Sequence, residues 1–178
     1  MAASRVLDGL APPLDAALLV LIHQQPDRES ELVSILQGRC RLPVAVAANR
    51  RALQPATVLV VPPGRHLLIT PDARVLLIAS GAFPPYRPSA DLLLATMATA
   101  LGPRAIAVVL SGGGHDAATG ATAIHACGGT VLATDEATSA SFGMPSAAIA
   151  RAAVVDRVVA LDDVAGSITE LVRAPQMT

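Results

Sequence analysis

The sequence predicts an α/β fold: a doubly wound, mainly parallel sheet with helices on both faces and an inserted antiparallel ribbon. Short apolar runs rich in Val, Leu and Ile alternate with longer helical patterns, which is typical of βαβ units around a buried sheet. Closely spaced apolar runs, separated by proline and glycine turn signals, indicate the ribbon at about 57–79. A length of 178 residues with 52% hydrophobic content suits one domain over 1–178.

Apolar runs bounded by polar, glycine or proline residues are the candidate strands. Each run is short enough to cross a buried sheet once. Those of the parallel sheet lie at 16–22, 44–47, 104–110, 130–133 and 157–161, and those of the ribbon lie at 58–61, 66–70 and 74–78.

Helical patterns fill the spaces between these runs. Residues 27–37 and 89–101 are amphipathic, and the second segment starts with Ser89 as an N-cap. A further helix should run from about Asp116 to Cys127 and stop at the following pair of glycines. Residues 162–172 should form a terminal helix, and residues 4–10 resemble the end of another.

The composition excludes several function classes. A formal net charge of −1 and 2% aromatic residues argue against general nucleic-acid binding. All 13 basic residues are Arg, so the chain has no lysine for a Walker A phosphate loop or a pyridoxal Schiff base. Cys40 and Cys127 lie far apart, which predicts neither a thiolate zinc site nor a disulfide framework, and favours a cytoplasmic chain.

No membrane anchor or signal peptide is expected. The longest strongly apolar run, at 16–22, is far shorter than the roughly 18 residues that a membrane helix needs. We also expect no cofactor.

Polar residues directly after two apolar runs mark the candidate site. His23 follows the first of these runs, and Gly112, Gly113, Gly114 and Asp116 follow the second. In open α/β sheets, ligands bind beyond the carboxyl ends of the strands. A carboxylate that orients an imidazole is half of a nucleophilic hydrolase site, and consecutive glycine N–H groups suit a phosphate or an oxyanion.

Other interpretations of these residues stay open. Asp116 could simply cap the next helix, and His23 could be a hydrogen-bonded histidine at a strand end. His23, His115 and Asp116 together would make a two-histidine, one-carboxylate metal set. The glycines alone could bind a small anion. His66 and His125 are interpreted as structural or exposed.

Motifs that occur in order along the chain carry a resemblance to a known family. They are HQQP at 23–26, VPPGRHL at 61–67, RPSAD at 87–91, LSGGGHDAATG at 110–120 and FGMP at 142–145. From about residue 5 to residue 172, their order and spacing resemble the catalytic domain of chemotaxis receptor methylesterases. That resemblance implies a doubly wound sheet with an antiparallel ribbon.

The resemblance also implies an activity and a set of site residues. The family hydrolyses methyl esters of receptor glutamates by a Ser-His-Asp mechanism, and many members also deamidate receptor glutamines. By position, His23 corresponds to the catalytic histidine, Asp116 to the aspartate that orients it, and the backbone of Gly113 and Gly114 to the oxyanion region. The implied partner is a methylated chemoreceptor-type protein. Separately, Arg65 and Arg87 are candidates for contacting its acidic segment.

The sequence departs from the family pattern at the nucleophile. Only 22 residues precede His23, whereas a strand, a helix and a second strand with their connections need roughly 28. The family's glycine-flanked serine therefore has no counterpart, and neither Ser4 nor Ser111 has a suitable setting. We expect an amino terminus truncated relative to the family, without the serine strand or the receiver domain.

Two further consequences follow from these departures. Loss of an interior strand would expose sheet edges, which could pair with another copy of the chain. The alternative function is a catalytically inactive relic that binds proteins. The loop also differs, because the family usually has Met at the position of Gly113 and Gly at that of Ala117.

Overall fold

The computed structural model describes residues 1–25, 31–81 and 86–174. Strands and helices alternate along much of this chain, as the predicted α/β class requires. The strands are β1 (Ala17–Val20), β2 (Val44–Val46), β3 (Thr57–Val60), β4 (Arg65–Ile69), β5 (Val75–Ala79), β6 (Ile106–Val109), β7 (Thr130–Thr134) and β8 (Arg157–Val159). The helices are α1 (Ala2–Asp8), α2 (Leu32–Gln37), α3 (Ala90–Leu101), α4 (Ala118–Ala126), α5 (Gly143–Ile149) and α6 (Val164–Arg173).

The parallel strands form two three-stranded sheets, in the orders β1-β3-β2 and β6-β7-β8. All pairings within these two sheets are parallel. The middle strands are apolar on both faces and fully buried, as Leu59 and Leu132 illustrate. The predicted parallel strands are therefore confirmed, but the described ladders leave β1 and β6 unpaired with each other.

The antiparallel ribbon is shorter than the sequence indicated. Only β4 and β5 form it, with Arg65 opposite Ala79 and Ile69 opposite Val75. The predicted first strand of the ribbon, 58–61, belongs instead to the parallel sheet as β3. Its Val and Leu side chains are buried on both faces, which suits the centre of a parallel sheet rather than a two-stranded ribbon.

Helices cover both faces of the sheets, as predicted. Successive residues of β3 enter different cores: Val58 and Val60 pack with α1, α2 and α6, whereas Leu59 packs with α3 and the ribbon. Strand residues alternate between faces, so this division separates two helical layers. No helix in the described residues is long and apolar enough to cross a membrane.

The helix ends explain where the sequence-based boundaries were right and wrong. Ser89 caps α3 as expected, and its Oγ accepts the N–H of Leu92 at 3.4 Å. Asp116 does not cap α4, which begins at Ala118 after Ala117. Helix α5 was not predicted, because a glycine and a proline occupy its first turn. The predicted start of α2, at 27–30, lies outside the described residues.

Candidate active site

His23 and Asp116 are brought together from two different sheets. His23 lies just beyond β1, Asp116 lies beyond β6, and Nε2 of His23 is 2.8 Å from Oδ2 of Asp116. The His23 side chain is 28% exposed and that of Asp116 is 2% exposed. The pair therefore offers solvent one accessible imidazole, backed by a buried carboxylate.

The amino end of α3 holds the Asp116 carboxylate in place. The backbone N–H groups of Ala90 and Asp91 donate to it at 2.6 and 3.0 Å, and the Ser89 hydroxyl donates at 3.2 Å. A helix amino terminus carries free N–H groups and a partial positive charge, so it favours an anion there. Asp116 is thus fixed by a helix other than the one that follows it in sequence.

These contacts also shift the pKa of Asp116. Burial alone would raise the pKa of this carboxyl, but hydrogen bonds from His23 and from the Ala90 and Asp91 N–H groups outweigh burial. The pKa of Asp116 consequently lies below its usual value. An ionised carboxylate can only accept hydrogen bonds, so Nε2 of His23 carries a proton, and in the neutral imidazole the lone pair then lies on Nδ1.

The glycine loop lies beside this pair and presents free backbone donors. Gly112 is anchored, because its N–H donates to Ser141 at 3.0 Å and its carbonyl accepts from Met144 at 2.8 Å. The N–H groups of Gly113 and Gly114 have no backbone or side-chain acceptor within the described residues. Both glycines are exposed residues, although the Gly114 nitrogen lies close to Gly143.

Tyr86 is a site residue that the sequence interpretation missed. Its ring centroid lies 5.2 Å from that of His23, and its hydroxyl accepts the backbone N–H of His115 at 3.3 Å. Tyr86 is the chain's only tyrosine, which could have drawn attention to it.

Tyr86 contacts both histidines of the suggested metal set, since the His115 ring lies edge-on against it at 5.3 Å. No group of three or more His, Cys, Asp or Glu side chains in the described part of the chain is placed to hold a metal.

Gln24 is a second residue near the pair to which the HQQP motif at 23–26 assigned no role. Its backbone N–H donates to the Arg87 carbonyl at 3.0 Å. Its Nε2 atom is buried and has no acceptor among the described residues. Because Gln24 directly follows His23, an unsatisfied amide donor lies next to the imidazole in sequence.

The remaining predicted residues lie at different places around the pair. Arg87 donates to the Gly81 carbonyl at 3.2 Å. Arg65 is exposed at the start of β4, next to the buried His66. His66 is structural, since its Nδ1 accepts the N–H of Ser89 at 3.0 Å.

Neither serine weighed as a substitute nucleophile hydrogen-bonds to His23 in the described structure. Ser4 is buried in α1, and the Ser111 hydroxyl accepts the N–H of Ser141 at 2.8 Å. The described residues thus bring together a hydrogen-bonded His23–Asp116 pair and a glycine loop.

Comparison with known proteins decides the family. Residues 1–168 match the family model described as CheB methylesterase. The chain belongs to the CheB methylesterase family. A protein-glutamate methylesterase/protein-glutamine glutaminase of Myxococcus xanthus is 37% identical over 175 residues, which cover 97% of this chain and 50% of that protein. Its counterpart in Moorella thermoacetica is 37% identical over 172 residues, covering 94% of this chain and 40% of that protein.

A solved CheB structure shows the same fold. The crystal structure of the Thermotoga maritima CheB methylesterase catalytic domain matches with a TM-score of 0.89 and 27% identity, over 96% of this chain and 91% of that one. The chain therefore corresponds to a catalytic domain of this family, and it spans about half the length of the curated relatives it matches.

Proposed function

We propose that this domain hydrolyses glutamate methyl esters on a protein substrate, with His23 as the catalytic base. The observation that carries this proposal is the 2.8 Å hydrogen bond between Nε2 of His23 and Asp116, within a chain of the CheB methylesterase family. That bond fixes the tautomer that leaves Nδ1 free to take a proton. The named activity of the relatives supports an ester or amide of glutamate as the substrate.

The mechanism is acyl transfer, in which one nitrogen of His23 first accepts a proton and then returns it. The mechanism of the resembled family requires a serine hydroxyl beside His23, which none of the described residues supplies; such a hydroxyl would give its proton to Nδ1 as its oxygen attacks the ester carbonyl. The proton then passes to the departing methoxide, which leaves as methanol while the acyl group stays on the serine. Water, deprotonated by the same nitrogen, next cleaves the acyl-serine to free glutamate and serine. With a glutamine substrate the leaving group is ammonia.

The glycine loop supplies the oxyanion site. When the carbonyl carbon becomes tetrahedral, its oxygen gains negative charge, and the free N–H groups of Gly113 and Gly114 can donate to it. These donors are backbone groups on a loop tied to Ser141 and Met144 through Gly112, so little reorganisation is needed.

We further propose a methylated chemoreceptor in the cytoplasm as the protein substrate. Receptor segments with several glutamates are acidic. Arg87, next to Gln24, and Arg65, at the exposed start of β4, are the cations assigned to contact them.

Methanol release by the protein isolated from its own cells tests the activity. Acting on a methylated chemoreceptor fragment, His23→Ala and Asp116→Asn should each lower kcat by about a thousandfold or more. His125→Ala is the matched control, because that histidine is exposed and 4.0 Å from Asp156. Equal methanol release by wild type and a folded His23→Ala variant would exclude the proposal.

A protein-binding module without catalysis is the second candidate. It is favoured by one observation: no serine hydroxyl in the described residues bonds to His23. It requires receptor binding that is unchanged in folded His23→Ala and Asp116→Asn variants, together with no methanol release by the wild type.

A further inference from the structure

The segment 86–91 contacts both residues of the catalytic pair's surroundings, one at each end. Near its start, the Arg87 carbonyl accepts the N–H of Gln24 at 3.0 Å. At its end, the amino end of α3 donates hydrogen bonds to the Asp116 carboxylate. The backbone that carries Tyr86 is therefore held on both sides, and the Tyr86 side chain projects from a fixed position beside the site.

The ring of Tyr86 lies against one face of the His23 imidazole. The two ring centroids are 5.2 Å apart and the ring planes are inclined by 30°. This distance is within the roughly 4.5–7 Å at which aromatic rings attract one another. The hydrogen bond to Asp116 holds His23 at Nε2 alone, which leaves the tilt of the ring plane free. Contact with a second ring removes that freedom, so the direction of Nδ1 depends on Tyr86.

The hydroxyl of Tyr86 contacts the other part of the site, the glycine loop. Its oxygen accepts the N–H of His115 at 3.3 Å and lies against Gly114, where a Cβ atom would not fit. Within the described residues, no other side chain hydrogen-bonds to the backbone of 113–115. Tyr86 thus connects the imidazole to the loop that carries the proposed oxyanion donors.

The surroundings of Tyr86 are not those of a core residue. Its side chain is half-buried, and it belongs to none of the hydrophobic cores in the described part of the chain. A tyrosine that only fills space packs among aliphatic side chains. The ring of Tyr86 instead contacts His23, His115 and Gly114, which all lie at the site.

We propose that Tyr86 is a positioning residue, whose ring sets the plane of the His23 imidazole and whose hydroxyl sets the path of the glycine loop. One side chain then fixes the distance between the base and the oxyanion donors. Catalytic groups must be held within roughly 0.5 Å and 10–20° of their working geometry, which makes such a connection valuable. The effect on catalysis rests on the proposed function, whereas the positioning of His23 and the loop does not.

Two substitutions at position 86 separate the two contacts. Tyr86→Phe keeps the ring and removes the hydroxyl, whereas Tyr86→Leu removes both. Leu92→Ala is the matched control, because it shortens an exposed side chain in the first turn of α3 that is 41% exposed and has no contact with either histidine ring. Urea unfolding of each variant shows that the protein compared is folded.

Side-chain NMR relaxation measures how firmly the imidazole is held. The order parameter of the His23 ring should be about 0.8 in the wild type, in Tyr86→Phe and in Leu92→Ala, and should fall below about 0.6 in Tyr86→Leu. A mobile ring in the wild type, or an equally rigid ring in folded Tyr86→Leu, would overturn the role of the Tyr86 ring. If Tyr86→Leu does not fold, the wild type and Tyr86→Phe still decide the matter, since both must show a rigid ring.

Hydrogen exchange of the His115 amide tests the hydroxyl. Tyr86→Phe should speed this exchange about two- to tenfold, because it removes one neutral hydrogen bond. The amide of Gly112, which donates to Ser141, should not change. An unchanged rate at His115 would overturn the role of the hydroxyl. Equal acceleration at Gly112 would do the same, because it would mean that the whole loop had loosened.

Methanol release separates this inference from the proposed function. Tyr86→Leu should lower kcat about tenfold to a hundredfold with little change in KM, and Tyr86→Phe should recover most of the loss, because the ring that orients the base is restored. A rigid His23 ring that loosens in Tyr86→Leu, in a protein without turnover, would leave the positioning role standing and count against the catalytic proposal. Turnover with equal kcat in wild type and Tyr86→Leu would do the reverse.

Discussion

Tyr86 packs so closely against Gly114 that a Cβ atom at position 114 would collide with the phenol oxygen. Gly114 also has a φ of +84°, a conformation that side chains rarely adopt. We therefore expect Gly114→Ala to destabilise the fold by about 1–3 kcal/mol, measured by urea unfolding.

The neighbouring glycine supplies the control for this prediction. A Cβ at Gly113 would meet only Ser141 Oγ, at 4.0 Å, so Gly113→Ala should change stability by less than about 0.5 kcal/mol. Equal destabilisation by Gly114→Ala and Gly113→Ala would show that the collision with Tyr86 is not the cause.

A second prediction concerns Ala117, which is buried with a φ of +82°. A left-handed alanine costs about 1–2 kcal/mol, which glycine does not incur. Ala117→Gly should accordingly raise the free energy of unfolding by about 1 kcal/mol, after glycine's own entropy cost is subtracted. Ala118→Gly, one residue into α4, should lower it by a similar amount. Thermal unfolding of the Ala117→Gly and Ala118→Gly variants tests both expectations.

A third prediction follows from the lowered pKa of Asp116. Because its pKa is lower in the folded protein, the ionised carboxylate stabilises the fold above the unfolded value of about 3.9. That stabilisation is lost as pH falls through the lower folded pKa. Wild type should exceed Asp116→Asn in stability by about 1–3 kcal/mol at pH 7, and the gap should shrink below about pH 4. A gap of constant size from pH 7 to pH 3 would contradict it.

A fourth prediction concerns the Gln24 side chain. Its buried Nε2 has no acceptor among the described residues, and an unsatisfied buried donor costs about 1–3 kcal/mol. Gln24→Met keeps the length of the side chain and removes the donor, so stability should stay equal or rise. If Nε2 binds a substrate carbonyl, the same change should raise KM several-fold. Urea unfolding and methanol-release kinetics measure both effects; a large loss of stability would show that Nε2 is already satisfied.

The sequence predicted much of the fold because buried parallel strands have a distinctive composition. The run before His23 and the run before Ser111 became β1 and β6, since both are apolar and end at polar residues. The predicted ribbon contained one strand too many. Three apolar runs separated by turns do not show which partner each strand pairs with. β3 pairs in parallel with β1, whose Ala17 lies 40 residues before its partner Thr57, and no local pattern records that.

The candidate site was predictable only in part. The spacing of His23 and Asp116 after two strands suggested that they meet, and they do, at 2.8 Å. The contacts from Ser89, Ala90 and Asp91 to the carboxylate could not be foreseen, because they depend on where α3 begins in space. Tyr86 likewise lies in a proline-rich stretch without periodicity, so nothing in the sequence beyond its being the chain's only tyrosine pointed to its contact with His23.

The anchoring of Asp116 on α3 limits what mutagenesis at this position can reveal. Replacing the carboxylate with a methyl group would strip the Ala90 and Asp91 N–H groups and the Ser89 hydroxyl of their acceptor, besides releasing His23. An inactive Asp116→Ala protein would therefore report on helix integrity and on proton transfer at once, with no way to apportion the two. An isosteric amide disturbs the packing least, so Asn is the more informative replacement here.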